Sequence, residues 1–296
     1  MNSAETFEGE RRRLFALAYR MLGSVAEAED VVQDAWLRFA EQNGSTINNP
    51  GAWLTTVTTR LAIDRLRSAR HRREVYVGPW LPEPLLGADT ESDPARHVEL
   101  ADSLSVAFLV LLERLDPVER AAFLLREVFG AEYGDVADAV ERSVPATRQI
   151  VHRAKERLDP DRPVRFEAAP EDEQRLLDGF LEAAIGGDLD RFRVVLHDDA
   201  VAWSDGGANQ RAARHPVVGA ERIAMFFRGI ARKGAAMAVP IDIDRVRVNG
   251  APGLTIHLDG ELYLTAAFDL RPDAGGDVRI AAIHSVLNPD KLGHLA

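Results

Sequence analysis

Apolar side chains recur at three- and four-residue steps along the first 74 residues, which is the spacing of amphipathic helices. Three such stripes follow one another, beginning at Leu14, Val31 and Trp53. The polar segment from Gln42 to Asn49 separates the second stripe from the third and leads to Pro50, a residue suited to the first turn of a helix. The pattern predicts three helices that pack on each other.

Prolines and glycines mark the next boundary. Residues 78–94 hold four prolines and two glycines, which cannot sustain a helix or a central strand, so we expect a linker over 75–95. Helical periodicity returns from Ala95 to Leu115. Asp116 and Pro117 then form a cap and first-turn pair for a further helix.

Two short helices are predicted next, over 133–140 and 145–158, with a tight turn at Glu141, Arg142 and Ser143. This is the helix-turn-helix pattern. The second helix directs six side chains away from its apolar stripe: Ala146, Arg148, Gln149, His152, Arg153 and Lys155. Arginine and glutamine can pair with base edges, and lysine and histidine can reach phosphates. A merely solvated face is the alternative, but the preceding helix and turn favour DNA.

The pattern changes after Pro160. Residues 161–170 are predicted to form a second linker, followed by a helix from Leu176 to Ile185. Alternating apolar residues then predict mostly strands, at Val239–Val248, Leu254–Leu258, Leu262–Leu270 and Val278–Val286. Residues 171–296 are therefore expected to form an α+β domain with a curved antiparallel sheet.

Charge at first argues against a nucleic-acid partner, because 36 basic and 47 acidic residues give a net charge of −11. Its distribution changes that conclusion. The second helix is acidic, whereas Arg60 to Arg73 contains one acid, Asp64, among six arginines. An aromatic residue, Trp53, and the asparagine-rich loop stand beside this basic helix, a combination suited to binding an unstacked base. A solvated basic face is again the alternative.

The chain has no cysteine, which excludes disulfides and thiolate-bound metals. It shows neither a signal peptide nor an apolar stretch of the ~18 to 20 residues that a membrane span needs. We expect a soluble, cytoplasmic protein without membrane association, and no metal or cofactor.

The first ~160 residues resemble an extracytoplasmic-function sigma factor. AEDVVQDAWLRFAE is similar to the helix that binds core polymerase, NPGAWLTTVTTRLAIDRLRS to the promoter-melting helix, and the stretch from LDPVERAAFLL to HRAKERL to the domain that reads the minus-thirty-five element. The resemblance implies two all-α domains, region 2 over 1–74 with three or four helices and region 4 over 96–160 with the helix-turn-helix.

The same resemblance implies roles for individual residues. Core polymerase would contact Asp30, Gln33, Asp34 and Arg38, whereas Trp36 is expected in the core. The minus-ten element would be bound by Asn43, Asn48, Trp53, Arg60, Arg65 and Arg67, and the minus-thirty-five element by the six exposed residues of the second helix of the helix-turn-helix.

The last ~130 residues resemble a SnoaL-like, NTF2-like cone, which a subgroup of these sigma factors carries as a fused domain. The resemblance implies that the opening helix and the Gly186 to Leu189 turn precede a strand. Three motifs of that subgroup are present: Trp80, Leu81, Pro82, Glu83 and Pro84; Ser204, Asp205, Gly206 and Gly207; and Asn288, Pro289, Asp290, Lys291 and Leu292. The middle motif departs from the subgroup at Ala208 and Asn209, where the subgroup has glycine and lysine. The resemblance implies regulation in cis, by activation or inhibition, with no separate anti-sigma factor.

Two other interpretations remain open. The cone also hosts enzymes that use a carboxylate or histidine as general base, for which the candidates are Asp199, Asp205, His215, His257 and His284. The chain would then be a DNA-binding module fused to a catalytic domain or to a domain that senses a small ligand. An ordinary helix-turn-helix repressor is the other interpretation, but it leaves the acidic helix and the asparagine-rich loop unexplained. The residues favour a non-enzymatic sigma factor with core polymerase and promoter DNA as partners.

Overall fold

The computed structural model describes residues 3–42, 47–87, 105–158, 168–234 and 239–295. The chain forms two compact units. The first joins Met1–Val75 with Phe108–Arg162, and the second joins Tyr76–Ala107 with Pro163–Ala296. No helix among the described residues is long and apolar enough to cross a membrane.

The first unit begins with three helices, α1 (Ser3–Leu22), α2 (Val25–Glu41) and α3 (Pro50–Glu74). The three helices predicted from the apolar stripes are thus confirmed. Their buried faces meet through Leu14 and Leu17 of α1, Val31 and Phe39 of α2, and Leu54 of α3. Ser24 caps α2 by accepting a hydrogen bond from the backbone N–H of Glu27.

Four further helices complete this unit: α4 (Val106–Leu112), α5 (Pro117–Phe123), α6 (Tyr133–Val140) and α7 (Val144–Leu158). Asp116 and Glu119 form a capping box at the start of α5, as the Asp116–Pro117 pair predicts. Residues Leu124–Val128 continue α5 as a π-helical turn. Helices α6 and α7 form the predicted helix-turn-helix, and Glu141 takes the left-handed conformation at the turn (φ 55°). The helix expected from Ala95 is described only from Val106, and residues 88–104 lie outside the described residues.

A buried arginine joins α5 to α1 within the first unit. Arg120 is 2% exposed, and its guanidinium donates to the backbone oxygens of Leu112 (3.0 Å) and Met21 (2.8 Å) and to Glu113 (2.7 Å). Since the Met21 carbonyl lies in the last turn of α1, this side chain satisfies a helix end that water cannot reach. The helix-turn-helix and the first three helices are therefore packed as one body.

The second unit holds α8 (Pro170–Gly186), α9 (Leu189–Val195), α10 (Ala220–Gly234), α11 (Pro289–Leu292) and seven strands. The strands are β1 (Leu86–Gly87), β2 (Leu196–Asp205), β3 (Val217–Val218), β4 (Ile241–Val248), β5 (Ala251–Leu258), β6 (Glu261–Pro272) and β7 (Val278–Val286). They form one sheet in the order β1-β4-β5-β6-β7-β2-β3. The predicted α+β class and the four predicted strands are confirmed.

Several expectations for this unit were wrong in part. The predicted turn before a strand is followed instead by helix α9, and α10 lies between that turn and the first predicted strand, where no element was named. The sheet is antiparallel except where β2 pairs with β7 in parallel. Helix α8 begins at Pro170, inside the predicted second linker, whose residues 159–167 lie outside the described residues. The predicted first linker contributes strand β1, which pairs with the edge of β4.

Aromatic side chains fill the space between the helices and one face of the sheet. Phe180 of α8 lies 5.0 Å from Phe227 of α10 and 5.0 Å from Phe268 of β6, measured between ring centres. Phe192 of α9 completes the cluster at 5.6 Å from Phe180. Edge-to-face packing of this kind adds to the burial of the rings, so the interior of the second unit is a packed aromatic core.

Candidate functional site

Helix α7 presents its predicted DNA-facing side chains to solvent. Thr147, Ile150, Val151, Ala154 and Leu158 form its buried face. The exposed face carries Arg148, Gln149, His152 and Arg153, with Ala146 and Lys155 half-buried. Lys155 already has a partner, because its Nζ lies 2.8 Å from the Glu127 carboxylate. All four exposed side chains can donate to phosphates or base edges.

The predicted minus-ten arginines all have partners within the first unit. Arg60 of α3 donates to the backbone oxygen of Asp138 at 2.7 Å and of Ala139 at 3.4 Å, and lies 3.4 Å from the Glu141 carboxylate. These are the last carbonyls of α6, where the helix dipole is negative. Arg60 therefore contacts several acceptor oxygens at the end of α6, as it could contact the phosphate oxygens of a DNA backbone.

Two further arginines of α3 are paired with acids. Arg65 lies 3.0 Å from Asp30 and 3.8 Å from Asp34, which are two of the residues expected to bind polymerase. Arg67 lies 3.2 Å from Asp64. Because these side chains are largely exposed, each pair contributes little, ~0 to 1 kcal/mol, and can be exchanged for another partner.

The predicted base pocket is only partly described. Asn43 lies outside the described residues, and Asn48 is exposed just before α3. Trp53 packs against Phe39 with ring centres 5.8 Å apart. An open cavity of about 370 Å³ is lined by Ala52, Trp53, Thr56 and Arg60 of α3 and by Asp135 and Asp138 of α6. The aromatic residue and Arg60 therefore share one surface, which α6 partly covers.

Helix α2 carries the predicted polymerase-binding residues on its outer face. Asp30 and Asp34 have side chains 59% and 48% exposed, and Gln33 and Arg38 are exposed as well. Trp36 is half-buried and packs against Phe7 (4.9 Å) and Phe39 (6.4 Å), so it lies at the margin of the core in which it was expected. This outer face is acidic, and it also carries Leu37, a large apolar side chain that is exposed.

The three motifs of the linker and the C-terminal domain meet at one carboxylate, that of Asp205. This side chain is 0% exposed at the end of β2. One oxygen, Oδ1, accepts from the Tyr76 hydroxyl at 2.6 Å and from the Gly207 N–H at 3.1 Å. The other, Oδ2, accepts from the Leu81 N–H at 2.8 Å and from Lys291 Nζ at 2.7 Å. We call this arrangement the clasp: Asp205, Lys291, Tyr76, Asn288 and the linker residues Trp80 to Pro84.

Lys291 is the cation of the clasp and is 6% exposed. Its Nζ also donates to the backbone oxygen of Leu81 and lies 4.2 Å from the ring centre of Trp80 and 5.0 Å from that of Tyr76. Two aromatic faces, one carboxylate and one carbonyl therefore compensate its buried charge.

Local backbone conformation brings the other motif residues to the clasp. Asn288 caps α11 with its Oδ1, while its Nδ2 donates to the Tyr76 hydroxyl at 2.8 Å. Gly207 has a positive φ of 58°, and a Cβ there would stand 2.8 Å from the Asn288 side chain. Only glycine relieves both constraints. Pro289 and Asp290 are exposed, Leu292 is buried, and Gly206 is buried where a Cβ would meet the Gln210 carbonyl oxygen at 2.7 Å.

The linker is fastened to the domain at further points beyond Asp205. Leu85 exchanges two hydrogen bonds with Asn249, of 3.0 and 2.8 Å. The Pro84 carbonyl lies 2.8 Å from His294 Nε2. Leu81, Pro82 and Pro84 are buried, and Glu83 is half-buried. Residues 76–87 are thus part of the C-terminal unit and not a free tether.

Burial and its neighbours raise the pKa of Tyr76 above the usual value for a tyrosine. Desolvation of the phenolate is the largest cause, followed by the hydrogen bond to Asp205 and the charge of that carboxylate. The hydroxyl therefore remains a proton donor to Asp205 across the physiological range.

The five candidate general bases do not converge on one site. Asp205 is saturated by the clasp, and His215 is exposed. Asp199 pairs with His197 and Arg271, and His257 lies 3.4 Å from Asp244. His284 is 4% exposed beside Asp269, and burial lowers the pKa of His284 and raises that of Asp269. Each has different partners, and the aromatic core occupies the space between helices and sheet.

Sequence reasoning missed four residues of these sites. Tyr76, Asn249 and His294 fasten the linker, and Glu141 faces Arg60. Tyr76 lies shortly before the first linker motif, which was the one available signal. The others are brought in by the fold from distant positions in the chain.

Comparisons with known proteins agree with this geometry. Residues 6–72 match the model of Sigma-70 region 2, and residues 105–158 match that of Sigma-70 region 4. The ECF RNA polymerase sigma factor SigJ of Mycobacterium tuberculosis is 36% identical over 96% of this chain and 91% of its own length. The probable ECF sigma factor SigI of the same species is 34% identical over 73% of each chain. The crystal structure of SigJ superposes with a TM-score of 0.75 and 31% identity over 98% of both chains.

Proposed function

The chain belongs to the extracytoplasmic-function RNA polymerase sigma factors, which direct core polymerase to promoters, and we propose that its C-terminal domain controls this activity through the clasp. The observation that carries the proposal is the Asp205 carboxylate, which accepts hydrogen bonds from Tyr76, Leu81, Gly207 and Lys291. A single buried group thereby joins the linker between the two promoter-binding regions to the two motif segments of the extension, around Asp205 and Lys291.

The clasp limits the reach of that linker. Region 2 spans 1–74, region 4 spans 96–160, and both must engage promoter DNA at once. An extended chain covers at most ~3.3 to 3.6 Å per residue, so fastening residues 76–87 removes about 40 Å of available reach. Opening the clasp restores it. The C-terminal domain over 171–296 therefore sets how freely the two regions can separate.

The promoter-facing residues also have partners to exchange before they bind DNA. In region 2, Arg60 is engaged by the end of α6, and Arg65 by Asp30 and Asp34. We assign Asn43, Asn48, Trp53, Arg60, Arg65 and Arg67 to the minus-ten element. The minus-thirty-five element is assigned to Ala146, Arg148, Gln149, His152, Arg153 and Lys155, and core polymerase to Asp30, Gln33, Asp34 and Arg38. Phosphates would replace the carbonyls that Arg60 contacts now.

The regulator is covalently attached, so it acts at a high effective concentration without a separate anti-sigma factor. The packing of Phe180, Phe192, Phe227 and Phe268 supports a regulatory and not a catalytic domain. Transcription reconstituted with core polymerase tests the proposal by comparing the full chain with Lys291→Met, which opens the clasp. Lys233→Met is the matched control, because Lys233 is an exposed lysine of α10. An equal effect of both changes would contradict control by the clasp.

A further inference from the structure

Helix α7 contacts an aromatic side chain of the preceding helix α6. Arg148 places its guanidinium carbon Cζ 5.3 Å from the centre of the Tyr133 ring. This is within the range of a cation–π contact. Tyr133 is the first residue of α6, so the contact joins the two helices of the helix-turn-helix near the start of α7.

Tyr133 is itself held by a second arginine. The Cζ of Arg126 lies 4.6 Å from the centre of the same ring, and its Nη1 donates to the Ala131 backbone oxygen at 2.8 Å. Arg126 belongs to the π-helical turn Leu124–Val128, which is closed by the Phe129 N–H bond to the Leu124 oxygen at 3.0 Å. The wider turn rotates the side chains that follow it relative to a continuous α-helix, and such turns occur often at functional sites.

We propose that Tyr133 is a positioning residue for promoter recognition, acting through Arg148. The inference rests on the proposed function, in which Arg148 contacts the minus-thirty-five element. Paired hydrogen bonds from an arginine to a base or phosphate require one orientation of the guanidinium plane. The ring of Tyr133 restricts that orientation before DNA arrives, so less side-chain freedom is lost on binding. Arg126 and the π-turn keep the ring in place.

Two substitutions separate the aromatic face from simple packing. Tyr133→Phe keeps the ring and removes only the hydroxyl, whereas Tyr133→Leu keeps an apolar side chain without a π-face. We expect Tyr133→Leu to weaken promoter binding by about two- to five-fold, the size of an exposed cation–π contact, and Tyr133→Phe to bind as the unchanged protein does. Binding is measured with the full chain and core polymerase on promoter fragments that carry each substitution in the minus-thirty-five element. Discrimination should fall at the one position that Arg148 reads.

A double-mutant cycle with Arg148→Ala distinguishes positioning from an independent role. We expect Tyr133→Leu to have no further effect when Arg148 is already alanine. Additive losses would overturn positioning by Tyr133 and leave the role of Arg148 intact. If Arg148→Ala alone left binding unchanged, the proposed contact of Arg148 would fail, and the inference about Tyr133 would fail with it.

The contact can also be observed without DNA. A guanidinium over an aromatic face has its Nε–H proton shielded, so the Arg148 NMR signal should shift towards the ordinary arginine position in Tyr133→Leu but not in Tyr133→Phe. An unchanged Arg148 signal in Tyr133→Leu, with the unfolding temperature preserved, would overturn the inference.

Discussion

Replacing Lys291 by methionine tests the clasp most quantitatively. The substitution keeps most of the length of the side chain and removes its charge. It leaves the Asp205 carboxylate buried with its hydrogen bonds from Tyr76, Leu81 and Gly207 but without a cation. Removing one partner of a buried ion pair costs about 3 to 5 kcal/mol.

Part of that cost disappears if the linker leaves, because Asp205 then gains access to water. At 1.4 kcal/mol for each factor of ten, the linker should open about 100- to 1000-fold more often. Hydrogen exchange of the Leu81 amide reports this opening, since its N–H donates to Asp205. The Leu85 amide, bonded to Asn249, is a second reporter in the same linker.

The control and the compensating change make the result decisive. Lys233→Met should leave both amides protected, because Lys233 is exposed on α10. Adding Asp205→Asn to Lys291→Met removes the uncompensated carboxylate and should recover part of the protection. If Lys291→Met left exchange at Leu81 and Leu85 unchanged in a folded protein, the energetic reasoning about the clasp would be refuted.

Three further predictions follow from named contacts. Gly207→Ala should loosen the linker more than the control Gly276→Ala, because both glycines have positive φ but only at Gly207 would a Cβ meet Asn288. Hydrogen exchange of the Leu81 amide measures this difference, and equal effects would mean that the contact with Asn288 is unimportant. The raised pKa of Tyr76 keeps its hydroxyl protonated in the clasp, so the stability that this hydroxyl contributes is fully present below the ordinary tyrosine pKa near 10 and is lost as pH rises above it. Protection of the linker amides from hydrogen exchange should therefore fall above about pH 10, and the same fall in a Tyr76→Phe protein would contradict this assignment. Changing Arg60, Arg65 and Arg67 to alanine should weaken promoter opening and reduce the salt dependence of binding, and an unchanged salt slope would indicate a merely solvated face. Glu141→Gln removes the charged one of the three Arg60 partners and should strengthen binding up to a few-fold, compared with Glu261→Gln as an equal change in net charge.

Helical periodicity was sufficient to predict most of the first unit. The stripes that begin at Leu14, Val31 and Trp53 bury large side chains on one face, so they are visible without knowledge of the partner. The capping pair Asp116–Pro117 likewise depends only on neighbours in sequence. These elements are encoded locally, and the structure differs from the expectation mainly at their ends.

The second unit was less predictable because its signals are weaker or nonlocal. Strand β2 buries Ala200 and Ala202, whose small side chains give little hydrophobic alternation. Its parallel pairing with β7 joins segments that are far apart in sequence. Helix α10 contains Gly229, which lowers the helical signal in its second half.

The clasp shows where motif reasoning succeeds and where it stops. Resemblance brought the segments around Trp80, Asp205 and Lys291 to attention, but it did not say that they touch. Tyr76 and Asp205 are 129 positions apart, and no local pattern specifies a hydrogen bond over that separation. Only the fold shows that Lys291 forms the salt bridge with Asp205.

Coupling between the clasp and promoter use is the central claim, and mapped transcripts test it most directly. Core polymerase is combined with the full chain, with Lys291→Met or with Lys233→Met, and the transcript 5′ ends and yields are sequenced on a genomic template. We predict that the full chain and Lys233→Met give the same discrete start sites in equal yield, while Lys291→Met changes the yield at those sites. Discrete start sites with identical yields from all three proteins would contradict control by the clasp, and no chain-dependent start sites at all would contradict promoter recognition itself.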